Sequence, residues 1–79
     1  RADSSVTRLP CGLSGNEVVR ALRRVGFYLR RQKGSHMVLR RDDPFAQVVV
    51  PGHRSIDTGT LASILEGAGL TVEEFRELL

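Results

Sequence analysis

Two histidines and one cysteine are the side chains of this sequence best suited to move a proton or attack at neutral pH. His36 follows Lys33-Gly34-Ser35. Lys33 and the backbone amides around Gly34 and Ser35 can hold a phosphate, and Arg31 and Arg40 add positive charge. A neutral-pH proton carrier beside a phosphate is what cleavage of RNA by its own 2′-hydroxyl requires. Taken alone, a histidine near a turn is more often a plain surface residue, and that alternative stays open here. His53, after Pro51-Gly52, is a second candidate acid or base. Its competing role is to order the loop from Pro51 to Ser55.

Other chemistries have less support. Asp42 and Asp43 are adjacent in a turn, where solvation is the expected role and metal ligation is not. Cys11 has no neighbouring base. The chain has no Gly-rich phosphate loop, C-x-x-C, H-E-x-x-H or G-x-S-x-G motif. Neither a metal site nor a cofactor is expected.

The elements that must hold these residues are readable from pattern. Ser14-Gly15-Asn16-Glu17 has the form of a capping box. Val18, Val19, Ala21, Leu22 and Val25 then recur as a helical stripe closed by Gly26, which predicts a helix over 15–25. Phe27–Gln32 and His36–Arg41 alternate as strands around Lys33-Gly34-Ser35, whose glycine suits a tight hairpin. Asp42-Asp43-Pro44 reads as a turn, and Gln47–Val50 as a β-branched third strand closed by Pro51. Thr58 can cap a second helix with apolar Leu61, Ile64, Leu65 and Ala68, ended by Gly69. Thr71-Val72-Glu73-Glu74 opens a short last helix with Phe75, Leu78 and Leu79 on its apolar side.

The order is α-β-β-β-α with a short extra C-terminal helix, an α+β fold with helices on one face of a three-stranded antiparallel meander. Strand parity groups His36 with Val38 and Arg40, and Met37 with Leu39. Which group faces the helices is left undecided, because Val38 competes for the core. Residues 1–12 lack periodicity and read as an irregular arm, and 13–79 as one domain.

With 79 residues and 41% hydrophobic content, one modest core is possible and no deep cavity, so any chemistry belongs on a surface. The lone Cys11 argues against a disulfide-stapled secreted domain. No apolar run reaches transmembrane length, and the start carries no signal-like segment, so a cytoplasmic location without membrane association is expected. The net charge of +3 is unevenly spread. Arg20 to Arg41 holds eight bases and no acid, whereas from Ser55 onward five acids face Arg76 alone. Such segregation suggests a polyanionic partner, nucleic acid first, with a solvated basic face as the alternative.

At these residues the sequence resembles the HicA-type mRNA interferase toxins. The matching stretches are Ser14-Gly15 through Gly26-Phe27, Arg31-Gln32-Lys33-Gly34-Ser35-His36, Val50-Pro51 with His53, Gly59-Thr60-Leu61 through Ala68-Gly69-Leu70, and Glu74-Phe75. They span about residues 13–79, and the R-Q-K-G-S-H string is the most specific. The resemblance implies a fold like that of double-stranded-RNA-binding domains and ribosome-independent cleavage of single-stranded messenger RNA. It further implies a catalytic role for His36 and a HicB-type antitoxin that silences the toxin in a hetero-oligomer. Met37 and Leu39 depart from the family pattern, standing where a second histidine and an aromatic are often found, which puts base stacking on the second strand in doubt.

The resulting expectation is a metal-independent endoribonuclease toxin. His36 is the acid or base, His53 a second candidate, and Lys33, Gly34, Ser35, Arg31 and Arg40 contact RNA. The competing expectation is a non-catalytic RNA-binding module. Modules of that kind carry a lysine cluster at the start of the last main helix, where this chain has Thr58-Gly59-Thr60-Leu61.

Overall fold

A computed structural model describes residues 9–79; residues 1–8 of the expected arm lie outside the described residues. Six elements follow in order: α1 (Gly15–Arg23), β1 (Tyr28–Lys33), β2 (His36–Asp42), β3 (Phe45–Pro51), α2 (Thr58–Ala68) and α3 (Val72–Arg76). The strands form one antiparallel sheet in the order β1-β2-β3. This is the expected α+β arrangement.

Helix α1 begins with the expected capping box. Ser14 Oγ accepts from the Glu17 amide at 3.1 Å, and Glu17 Oε1 accepts from the Ser14 amide at 2.8 Å. The helix ends at Arg23, two residues before the expected stop. The Arg24 and Val25 amides bond to Ala21 and Leu22, three residues back, so the last turn tightens before Gly26 (φ +96°) redirects the chain. Helix α2 is capped by Asp57 rather than Thr58. The Asp57 carboxylate accepts from the Thr60 amide at 2.6 Å, and Thr58 is already helical. Gly69 (φ +75°) ends α2 as expected, and Thr71 with Glu74 caps α3.

The core settles the parity question. Met37 and Leu39 are buried together with Ala46, Val48 and Val50 of β3, beneath Val18, Ala21 and Leu22 of α1 and Leu61, Ile64, Leu65 and Ala68 of α2. His36 is exposed, and Val38 and Arg40 are half-buried. The helices therefore cover the Met37 and Leu39 side and leave the His36 side open. Phe75 of α3 is fully buried, but Leu79, expected on the same apolar side, is 55% exposed.

Two features were not readable from pattern. The first is a bulge in β1. Leu29 pairs with Leu39, but the next pair is Arg31 with Val38, leaving Arg30 without a partner. Without the extra residue, Leu29, Arg31 and Lys33 would share one face. The bulge lets Leu29 lie on the helix side while Arg31 and Lys33 lie on the open face, opposite Val38 and His36.

The second is Arg41, whose guanidinium turns toward the helices. It donates to Ala68 O at the end of α2 (3.3 Å) and to Pro44 O (2.9 Å), and lies 4.8 Å from the centre of the Phe27 ring. A cation at a helix C-terminus satisfies orphan carbonyls and complements the dipole.

Candidate active site

His36 is the first residue of β2, and its cross-strand partner in β1 is Lys33. Only Gly34 and Ser35 separate them. Gly34 has φ +61°, and among the described residues no residue other than glycine has positive φ, which is the signature of a type II′ turn. A Cβ on Gly34 would meet nothing, so glycine is needed there for its dihedral and not for space. The tight turn fixes Lys33 and His36 side by side on the open face. Arg31 lies two residues further along the same face of β1. Lys33, Gly34, Ser35, His36 and Arg31 are all exposed and lie together at this end of the open face.

The other flank is built from the end of β3. Pro51 is the cross-strand partner of His36, and the Gly52 amide donates to Ser35 O, clamping the turn. The Gly15 amide donates to His53 O at 2.9 Å, and the Ile56 amide to Leu13 O at 2.7 Å. Gly15 sits so close to the Pro51 carbonyl that any side chain there would collide with it. The start of α1, the Pro51–His53 segment and the Gly34–Ser35 turn thus converge at one end of the sheet. His53 lies at that end with its imidazole exposed, and it is the backbone of the loop that orders it.

Arg40 does not join this cluster. It lies four residues from His36 along β2, about 13 Å at the usual strand rise. Its Nε is 2.8 Å from Asp42 Oδ1, and its guanidinium is 5.2 Å from the Phe45 ring centre. The Tyr28 hydroxyl donates to the same carboxylate at 3.0 Å. The open face therefore has two ends. One holds His36, Lys33 and Arg31, and the other a Tyr28–Asp42–Arg40–Phe45 group whose cation is already matched.

Pattern reading missed three residues. Tyr28 and Phe45 give the open face its aromatic rings, from β1 and β3 instead of β2, where Leu39 is core. Phe45 lay between the expected Asp42–Pro44 turn and the expected Gln47–Val50 strand and was placed in neither, although an aromatic just after a proline at a strand start is a usable signal; β3 in fact begins at Phe45. Arg54 adds an exposed base beside His53.

The carboxyl of Asp57 is held below its ordinary value of 3.8, first by the Thr60 amide, then by the Thr60 hydroxyl, with a smaller pull from His53. Among the described residues no cluster of three His, Cys, Asp or Glu side chains forms a metal site, and no helix is long and apolar enough to cross a membrane.

This arrangement can hold a phosphodiester on Lys33, Arg31 and the turn amides and present an imidazole to it, in the open and under full solvent access. No curated protein matches the sequence. The family model of the HicA toxin of bacterial toxin–antitoxin systems matches residues 15–70, from the start of α1 through Leu70. That span contains every residue of the cluster, and on it the chain belongs to the HicA toxin family, the toxin half of a toxin–antitoxin pair.

Proposed function

We propose that this toxin is an endoribonuclease that cuts single-stranded messenger RNA without a metal and without the ribosome, in the cytoplasm. The observation that carries the reading is the placement of exposed His36 directly across the strand pair from Lys33, on a two-residue turn that the Gly52 amide clamps at Ser35. His36 takes the proton from the attacking 2′-hydroxyl or delivers one to the leaving 5′-oxygen. Lys33 and Arg31, with the Gly34 and Ser35 amides, stabilise charge growing on the phosphate. The second proton-transfer group is His53 or water. A HicB-type antitoxin silences the enzyme by covering this end of the sheet.

The test is cleavage of an unstructured RNA by purified protein. His36→Ala should lower the rate at least about a hundredfold, the usual size of a general acid–base contribution, while RNA affinity and the thermal midpoint stay near those of the parent. Products should end in a 2′,3′-cyclic phosphate or its hydrolysed form, and a chelator should not slow their appearance. A variant that keeps more than about a tenth of the rate would remove His36 from the chemistry. RNA binding with no cleavage by the parent protein would leave a binding module in its place.

A further inference from the structure

The sheet has two free edges, and they are built differently. Edge β1 is protected against pairing: it carries the bulge at Arg30, and Arg30, Arg31 and Lys33 place three positive charges along it. Edge β3 has neither device. All seven residues from Phe45 to Pro51 pair in unbroken register with β2, and Phe-Ala-Gln-Val-Val-Val-Pro contains no charge. In a molecule of net charge +3 the uncharged run extends from Pro44 to His53. An uncharged, β-branched edge in unbroken register is a template for another strand.

The direction of its backbone groups follows from Gly52, whose amide points inward to Ser35 O. Along an antiparallel strand alternate residues turn their N–H and C=O to the same side. Val50, Val48 and Ala46 therefore bond to β2, while Val49, Gln47 and Phe45 aim theirs at the free edge. Among the described residues nothing accepts or donates there. The same three side chains lie on the open face, with Phe45 65% and Val49 48% exposed. On the helix side, Thr60, Ser63 and Gly67 of α2 present only small side chains, leaving a recess of about 230 Å³ beside the edge.

We propose that this edge pairs with the β3 edge of a second copy of the chain, antiparallel and centred on Gln47. That register opposes Gln47 to Gln47 of the second copy, and Phe45 of each copy to Val49 of the other. Two exposed apolar side chains per copy are then covered by aromatic–β-branched cross-strand pairs, and no charge is buried. The strand is complementary to itself at every outward position, which is what a two-fold interface demands. The product is a six-stranded sheet with both open faces on one side. Strand rise and spacing put the two His36 positions about 30 Å apart.

Sedimentation of the purified full-length chain over a range of concentrations tests the pairing. A concentration-dependent dimer is expected, and Val49→Lys, which sets like charges near the axis, should raise its dissociation constant by tenfold or more, on the order expected from cross-strand pair energies, with an unchanged melting curve. Phe45→Lys serves equally if Val49→Lys fails to fold. Register is checked separately in a Cys11→Ser background, where Gln47→Cys should form an intermolecular disulfide under mild oxidation and Arg30→Cys should not, since directly hydrogen-bonded partners have Cα atoms about 5.5 Å apart. A monomer up to about 0.5 mM, a dimer indifferent to both lysine variants, or equal cross-linking through Arg30→Cys overturns the proposal.

Discussion

At the scale of single residues, neighbouring arginines on β2 have opposite fates. Arg40 sits on the open face in a pair with Asp42 whose side chains are 31% and 61% exposed, and such pairs contribute little in water. Arg41, one residue on, faces the helices and bonds two carbonyls over the Phe27 ring. Arg41→Ala leaves the Ala68 carbonyl without its donor and should destabilise the fold by about 1–2 kcal/mol. For a domain of this size that lowers the thermal midpoint by roughly 4–16 °C. Arg40→Ala should shift it by less than about 3 °C. Calorimetry of both variants checks the contrast; equal shifts would mean that the Arg41 contacts carry no more stability than the exposed Arg40–Asp42 pair.

At the scale of elements, the candidate site depends on how three segments meet. Gly15 in α1 has an ordinary helical dihedral, so its requirement is purely one of space against the Pro51 carbonyl. Gly15→Ala must push α1 away from the end of β3. A cost of about 1–3 kcal/mol is expected from the overpacking, together with slower RNA cleavage at temperatures where the protein remains folded. Stability loss without any change in cleavage would uncouple the α1 contact from the site. The cap of α2 gives a pH signature. Because the folded-state pKa of Asp57 lies below 3.8, its contribution is present above that value and is lost as the pH falls through the folded value. In that window the unfolded chain binds more protons, so stability rises with pH. The thermal midpoint of the parent should fall below about pH 4, and the fall should be shallower in Asp57→Asn. Identical profiles would show that the cap does not stabilise the ionised form.

At the scale of the molecule, the eight bases from Arg20 to Arg41 are consecutive in sequence but do not form one surface. Arg20 and Arg24 line a recess on the helix layer with Leu78 and Leu79. Arg41 is spent on α2 and Arg40 is matched by Asp42. What remains beside His36 is Arg31 and Lys33, with Arg54 in the loop behind. If RNA and antitoxin compete for this end of the sheet, charge reversal at Arg31 should weaken both, and by more than reversal at Arg40. Both association rates should fall as salt rises, whereas Glu73→Lys on α3 should leave RNA binding nearly untouched. Titration with the cognate antitoxin checks this. A ternary complex with unchanged RNA affinity would place inhibition elsewhere.

The order of elements, the capping boxes at Ser14 and Thr71, the tight turn at Gly34 and the αL stop at Gly69 were fixed by sequence alone, because each rests on interactions within a few residues. The closeness of Lys33 to His36 was legible for the same reason, but pattern put Lys33 in a three-residue loop, and strand pairing makes it the last residue of β1, directly across a two-residue turn from His36. What required the tertiary structure was every choice between two faces. Parity pairs His36 with Val38 in either orientation, and only helix packing over Met37 and Leu39 opened the histidine side. The bulge at Arg30 cancels simple alternation, so the positions of Arg31 and Lys33 followed from pairing with β2 and not from their own spacing. Arg40 and Arg41 are chemically identical in the sequence. Their roles diverged because successive residues of a strand point to opposite sides, one to water and one to the end of a helix that lies 27 residues away in the chain.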